Sequence, residues 1–279
     1  MERQGVIQRV SLGPTIEVPL DYRANPDAAV LAADQDEASL VKTEVITSAS
    51  YSVAQISVPV VWTKGDDAKN PSENQKVALS KQLLENGINS HDDLLEQHII
   101  TTSTAGGDEL NGLSDLVTTA GTGTVGGIDA SVELWWKNYG DTYTDATDIE
   151  ATFTTAFNRA AKGSGSSLQP KFMISGSAPH VMYESTLQTL QRFVDTEEAN
   201  AGFKVLAFKS ARYVFSQYGG TKVYFLNPKN YNIVVSKEYF RDKDATSIIP
   251  AQNAYVFKIY SALQAVVSNR SRLAVVDQA

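Results

Sequence analysis

The residues whose spacing most resembles a binding motif lie in the middle of the chain, between Gly121 and Gly126. The run Gly-Thr-Gly-Thr-Val-Gly matches the G-x-G-x-x-G pattern of dinucleotide-binding loops. In those loops the glycines connect a buried strand to a helix whose N-terminus receives the pyrophosphate. Here the preceding residues, Leu113 to Thr119, are typical of a short helix or turn, and no β-α-β pattern brackets the glycines. The pattern therefore indicates a glycine-rich turn, and no cofactor is expected.

The three histidines do not have the spacing of a metal site. His91 and His98 are seven residues apart, which places them on one face of a helix but about 10 Å apart along its axis. No H-E-x-x-H or comparable group of ligands is present. Together with His180, these side chains are predicted to lie at the surface or at an interface.

Three aspartates, Asp141, Asp145 and Asp148, form an acidic group that could hold a cation. The spacing and the glycine of an EF-hand loop are missing, so a solvated loop that leads into a helix explains the group better. The sequence also lacks a G-x-S-x-G nucleophile turn, a phosphate-binding G-x-x-x-x-G-K-[ST] loop and a carboxylate pair placed as acid and base. We therefore predict no catalytic residue and no metal ligand, and a protein that is not an enzyme.

Composition limits the partners that the chain can have. Its 279 residues can bury a large core without staples, and the absence of cysteine excludes disulfides and fits synthesis in a reducing cytoplasm. The net charge is -8, and the densest basic run is Arg270-Ser-Arg272, which argues against tight direct binding of DNA. No signal peptide or membrane-spanning run is present. An acidic shell that contains DNA without adhering to it agrees with these properties.

The first 63 residues suggest extended structure that needs a partner. Residues 1–40 carry short apolar pieces among prolines and acidic residues, which predicts an arm that becomes ordered against another surface. Alternation then predicts a strand up to residue 63, with Val41 to Thr47 as its partner and a turn at Ser48 to Ser50. Such a hairpin is barely stable alone. The hairpin face predicted to contact a neighbouring subunit comprises Ile56, Val58, Val60 and Trp62.

The rest of the chain predicts an α+β protein, because helices and strands are grouped rather than alternating. A capping box at Ser72 opens a helix of roughly 30 residues, which Gly87 weakens or kinks. A second capping box at Thr147 opens another helix. Phe172 to Ser175 is predicted as a buried strand that precedes a helix, and strands dominate after residue 203.

Three runs in the centre of the chain carry a resemblance to a known family. They are Gly112-Leu-Ser-Asp-Leu-Val, Gly123-Thr-Val-Gly-Gly-Ile-Asp129 and Leu134-Trp-Trp-Lys-Asn138. Together they resemble the mid-chain signature of the major capsid proteins of tailed bacteriophages. The long helix before them and the strands after them, including Lys222-Val-Tyr-Phe-Leu-Asn227, follow in the order of that family.

The resemblance implies a fold with four parts. Residues 1–40 would form an N-terminal arm and 41–70 an extended β-hairpin loop. Residues 71–140 with 250–279 would form a peripheral domain, which holds a long spine helix and a sheet, and 141–249 an axial domain. The signature is predicted to pack as a turn between the spine helix and the axial domain. Its residues are Leu113, Leu116, Gly123, Val125, Gly126, Gly127, Ile128, Asp129, Trp135 and Trp136.

The resemblance also implies a function. The chain would assemble with itself, in hexamers and pentamers, into the icosahedral head that encloses the double-stranded DNA of a tailed phage. Portal, scaffold and decoration proteins would be further partners, and the virion would be the location, after synthesis in the host cytoplasm. Subunits are expected to stay uncross-linked and uncleaved at the N-terminus. Two other readings remain open: an encapsulin-type shell, which shares the fold, and a phage tail or fibre protein.

Overall fold

The computed structural model describes residues 6–22, 44–69, 72–101, 110–162, 168–187, 206–249 and 252–279. In chain order the strands are β1 (Ile7–Val10), β2 (Thr15–Asp21), β3 (Ile46–Ser52), β4 (Ala54–Thr63), β5 (Thr124–Val125), β6 (Ile128–Asp129), β7 (Tyr139–Tyr143), β8 (Phe172–Ser175), β9 (Leu206–Phe208), β10 (Ala211–Phe215), β11 (Val223–Leu226), β12 (Tyr231–Ser236), β13 (Asp242–Lys243), β14 (Ser247–Ile249), β15 (Ala254–Val267) and β16 (Ala274–Gln278). The helices are α1 (Lys64–Lys69), α2 (Glu73–Ile100), α3 (Leu113–Leu116), α4 (Ile149–Ala160) and α5 (Ser177–Leu187). The predicted α+β class and the predicted long helix are confirmed.

The first sheet is built around the long strand β15. Strand β4 pairs with one side of β15 in antiparallel register, while β12, β13 and β14 pair with the other side, and β1 adds to β12 in parallel. Helix α2 lies on one face of this sheet. Val60, Phe257 and Ile259 form a small core there, against which Leu84 and Ile88 of α2 pack. The apolar face of β4 that the sequence predicts is therefore buried by the chain itself.

Gly87 lets α2 approach the first sheet closely. A Cβ atom at this position would lie 2.7 Å from the Cγ2 of Val60 and 3.0 Å from the Cδ1 of Ile259. The helix continues unbroken through Gly87, so the glycine is explained by packing rather than by the kink that the sequence suggests. The low helical propensity of glycine is offset by the contact between helix and sheet that only this residue permits.

The second sheet has the strand order β7-β16-β11-β8-β10-β9, and its central strands β8 and β11 are buried on both faces. Met173 and Phe225 point to a core that includes Phe153 of α4. The neighbouring residues in each strand, Ile174 and Tyr224, point to the larger core that the second sheet shares with the first. Burial on both faces explains why β8 and β11 are apolar at every position except Ser175, and the buried strand predicted at β8 is confirmed.

The structure corrects the predicted hairpin. Strand β3 pairs with β2 rather than with β4, and Ser48 to Ser50, predicted as a turn, lies within β3. Residues 41–43 of the predicted partner strand lie outside the described residues. Because β4 pairs along its whole length with β15, Ile56 and Val60 are buried against the chain's own core, and Val58 and Trp62 are half-buried there. The alternation of apolar and polar residues correctly predicts a strand at β4, but the strand that pairs with it, β15, is distant in the sequence.

Two further boundaries differ from the prediction. Residues 6–21 of the predicted arm belong to the chain's own fold, because β1 pairs with β12 and the side chains of Val6 and Leu20 are buried. Residues 1–5 and 23–40 lie outside the described residues. Strands β12 to β14, predicted as axial, lie in the sheet that carries α2, while β16, predicted as peripheral, pairs with β7 and β11. Long-range strand pairing, which has no local signal, sets these boundaries.

Candidate functional site

The predicted signature forms a compact joint between the end of α2 and the second sheet. Helix α3 is followed by the β5–β6 hairpin and by a single 3-10 turn, Leu134–Trp136. Gly126 and Gly127 supply the hairpin turn with φ of 60° and 80°. A Cβ at Gly126 would also lie 2.6 Å from the Cβ of Ala49, so the hairpin rests directly on β3. These positions need glycine for backbone reasons that involve no ligand.

Burial separates the signature residues into two groups. Leu113, Leu116, Val125 and Trp136 are buried in the larger core, and the indole nitrogen of Trp136 donates a hydrogen bond of 3.1 Å to the Val125 carbonyl. The more accessible residues of the signature are Gly123, Gly126, Gly127, Ile128, Asp129 and Trp135. The ring of Trp135 lies 5.5 Å from that of Trp136. The segment is thus a packed joint with one accessible side.

A residue that the sequence did not single out holds this joint together. Arg270 is fully buried, and its Nε donates to the Leu116 carbonyl at 2.7 Å. Its Nη atoms donate to the carbonyls of Gly123 and Thr122 and to the hydroxyl of Thr118, at 3.3, 2.9 and 3.2 Å. Burial lowers the pKa of this guanidinium. The sequence shows Arg270 as part of a basic run, but the residue type alone does not indicate whether the arginine is buried or exposed.

The glycine pattern does not have the geometry of a nucleotide-binding loop. Gly126 is followed by the strand β6 and not by a helix, so no helix N-terminus faces the glycines. The space above Gly121 is filled as well, since a Cβ there would lie 2.6 Å from the Asn138 carbonyl oxygen. These observations favour the glycine-rich turn that the sequence predicts.

His91 was predicted to lie at the surface or at an interface, and the structure places it inside the chain's own fold instead. Its ring is fully buried between α2 and β15, with Nε2 at 2.9 Å from the Ser261 hydroxyl and Nδ1 at 3.3 Å from the Asp92 carboxylate. The Ser261 oxygen accepts the backbone N–H of Arg241, and the Arg241 guanidinium donates to Asp92 at 2.6 Å. The group looks like a serine-histidine-aspartate triad. Ser261 is completely buried, however, so the group fastens a loop to α2 instead of meeting a substrate.

The acidic group does not form a cation site. The Asp148 carboxylate accepts backbone N–H groups of Thr144 and Asp145, and the Asp145 carboxylate accepts the N–H and hydroxyl of Thr147. These bonds order the loop before α4, and they lower the pKa of Asp145. Asp148 rather than Thr147 is the N-cap. Within the described ranges, no group of three or more His, Asp or Glu side chains is arranged to hold a metal ion.

The surface near the joint carries an apolar patch. We use this name for Ile46, Val132 and Leu134, which are 63%, 74% and 72% exposed. The first two border a cavity of about 560 Å³, which is also lined by Trp135 and the acidic Glu133. Exposed apolar side chains that lie close together are typical of protein–protein contacts. In the part of the chain that the structure describes, no helix is long and apolar enough to cross a membrane.

Comparison with known proteins gives structural matches only. The sequence matches no protein-family model, and it matches no curated protein. The structure of the cyanophage A-1(L) capsid is 14% identical, with a TM-score of 0.62 over 98% of this chain and 91% of that chain. The capsid of Myoviridae phage XM1 is 10% identical, with a TM-score of 0.61 over 100% and 91%.

A bacterial shell protein matches equally well. The SrpI encapsulin complex from Synechococcus elongatus PCC 7942 is 11% identical, with a TM-score of 0.63 over 97% of this chain and 83% of that chain. Near-complete coverage in both directions means that the similarity extends over the helix-bearing sheet, the joint and the second sheet together. This chain has the fold of the phage capsid proteins and encapsulins.

Proposed function

We propose that this chain is the major capsid protein of a tailed bacteriophage, which assembles into the icosahedral head around the double-stranded DNA genome. The observation that carries the proposal is the fold similarity to phage capsids, which extends over 98% of the chain for the cyanophage A-1(L) capsid. The absence of a catalytic arrangement around the accessible groups, in the described ranges, supports a structural role. On this proposal the protein is located in the virion after synthesis in the host cytoplasm.

Self-association has support in the surface of the subunit. The apolar patch is exposed, and the two-stranded ribbon β2–β3 pairs with no other described strand. Unpaired strand edges and exposed apolar side chains are stable in a protein whose partners cover them. A closed symmetric shell repeats each contact many times, so modest interfaces between subunits suffice. Hexamers and pentamers of this chain, with portal, scaffold and decoration proteins as further partners, complete the proposal.

The test is assembly of the full chain. Expressed protein should form closed shells of hexamers and pentamers, visible by negative staining and resolved by cryo-EM. Leu134→Ser should reduce assembly while the circular dichroism spectrum stays unchanged, because it removes the apolar side chain from the patch. Val181→Ser, at a position on α5 that is 61% exposed, is the matched control. Tubes, fibres or subunits that never associate would contradict the proposal.

An encapsulin shell is the second candidate, and the match to the SrpI encapsulin complex favours it specifically. Both candidates predict closed shells, so the contents of particles from the native source decide between them. Genome-length DNA inside the particles supports the phage head. A packaged enzyme and no genome would support the encapsulin instead.

A further inference from the structure

Four cations from three separate parts of the sequence gather around the C-terminal end of α4. We call Arg159, Lys162, Lys209 and Arg272 the cationic cluster. Arg272 Nη1 donates to the Lys162 carbonyl at 2.6 Å. Lys209 Nζ donates to the Asn158 side chain at 3.0 Å and lies over the ring of the preceding residue, Phe157, at 4.9 Å from its centroid. Arg159, Lys162 and Lys209 are exposed, and Arg272 is half-buried.

Attraction to the helix end does not account for the whole cluster. One cation near the last turn satisfies a free carbonyl and interacts favourably with the helix dipole, and Arg272 already does this. The other three add like charges. Burial, followed by the charges of Arg272 and Arg159, lowers the pKa of Lys162. Among the described residues, no carboxylate forms an ion pair with any of the four. Arg159 lies over the ring of Tyr139, whose hydroxyl donates to Asp141, so that carboxylate offsets part of the charge. The cluster of four cations therefore keeps a net positive charge.

We propose that the cationic cluster binds the phosphodiester backbone of nucleic acid, without base specificity. Duplex DNA carries one negative charge per about 1.7 Å of axis, so several phosphates can meet the cluster at once, and binding releases their counterions. Arginine and lysine are the side chains that most often contact phosphate. Each subunit provides only a weak contact, but a shell presents the cluster many times. The net charge of -8 does not prevent this, because the field near the surface follows the local charges.

A second copy of the chain is the competing anion, and the structure makes it less suitable. The carboxylates of Asp145 and Asp148, at the opposite end of α4, are already used, since they accept hydrogen bonds from their own loop. Carboxylates held in this way have fewer free lone pairs for a neighbour. Phosphate groups in DNA have no such competing partners.

The inference rests on the proposed function in one respect: it places α4 on the inner face of the shell. DNA affinity is measured first on the full chain, by fluorescence anisotropy with a short duplex of random sequence at two salt concentrations. The test variant combines Arg159→Gln, Lys162→Gln and Lys209→Gln. The matched control combines Lys229→Gln, Lys237→Gln and Lys258→Gln, three exposed lysines elsewhere that change the net charge equally.

Four phosphate contacts should make wild-type affinity fall by about two orders of magnitude between about 50 and 200 mM salt, whereas the test variant should lose only about three- to fourfold. The control should keep the wild-type salt dependence. Absence of DNA binding at low salt, or equal losses in both variants, would overturn the inference. Failure of the well-folded test variant alone to form shells would also overturn it, because the cluster would then bind another copy. If wild-type protein forms no shells at all, the proposed function fails while the DNA measurement still stands.

Discussion

Replacing Arg270 by methionine tests whether one buried guanidinium holds the central joint together. Methionine keeps much of the side-chain length and apolar contact but removes all donors. Of the acceptors, Gly123 also receives the N–H of Ala130, and the Thr122 carbonyl also receives the hydroxyl of Thr118. The Leu116 carbonyl has no other donor among the described residues. The substitution thus leaves one buried acceptor without a partner and weakens the others.

The magnitude follows from these bonds. A buried acceptor without a partner costs about 1–3 kcal/mol, and a hydrogen bond from a charged group contributes about 1.5–3 kcal/mol. Removal of a buried charge offsets part of this loss, because the guanidinium no longer has to be desolvated. We expect Arg270→Met to lower the free energy of unfolding by about 2–4 kcal/mol, which corresponds to a decrease in Tm of roughly 3–7 °C for a chain of this length.

The assay is urea unfolding of dilute, unassembled subunits, followed by tryptophan fluorescence. Trp136 lies within the joint and is fully buried, so its emission reports on the affected region. Arg241→Met is the matched control: that guanidinium is 47% exposed and pairs with Asp92, and exposed pairs contribute at most about 1 kcal/mol. Equal stability of the two variants, or a gain of stability in Arg270→Met, would refute the assignment of Arg270 as the residue that fixes the joint.

Three further predictions concern glycines and tyrosines. Gly126→Ala should lower the free energy of unfolding by more than about 2 kcal/mol, because strain at positive φ adds to a clash of the new Cβ with Ala49. Gly127→Ala meets open space, so it should lower the free energy of unfolding by only about 1 kcal/mol. Equal losses of stability in thermal unfolding would contradict this difference. Gly87→Ala should lower the free energy of unfolding by about 1–3 kcal/mol, although alanine has the better helix propensity, because its Cβ would clash with the first sheet. Asn86→Ala, on the exposed face of α2, is the control and should not destabilise the protein. A stabilised Gly87→Ala variant would show that the helix can move away from the sheet. Burial raises the pKa of three tyrosines to about 12. The unfolded state therefore loses these phenolic protons at a lower pH than the folded state, and the stability should decrease as the pH rises above about 10. Equal urea midpoints at about pH 9 and 11 would contradict this. The tyrosines are Tyr51, Tyr143 and Tyr183.

Elements with a strong local signal were predictable from the sequence. The long helix α2 begins one residue after the predicted cap at Ser72, because an apolar stripe at helical spacing needs no distant partner to be recognised. Strand β8 was predicted for a similar reason, since a short apolar run between turn residues fits a buried strand. A glycine-rich turn was predicted between Gly121 and Gly126 because no strand and helix bracket these glycines, and the positive φ of Gly121, Gly123 and Gly126 agrees with it.

Elements whose partners are distant in sequence were not predictable in this way. The alternation in β4 identifies a strand with one apolar face, but it does not say whether α2 or another subunit covers that face. The pairing of β4 with β15 joins residues that are about two hundred positions apart, and no local pattern specifies it. The same reason explains the exchange of β12 and β16 between the predicted domains.

The sequence by itself determined the class of the protein, the positions of its long helix and glycine turn, and the absence of recognisable catalytic motifs. Tertiary structure decided what individual polar residues do. Arg270 and Arg272 are two positions apart, yet one is fully buried in the joint while the other belongs to the cationic cluster. His91 likewise lies in the core because Ser261 on β15 meets it there. Burial and charge proximity arise from three-dimensional contacts, so they distinguish side chains of the same chemical type that the sequence cannot distinguish.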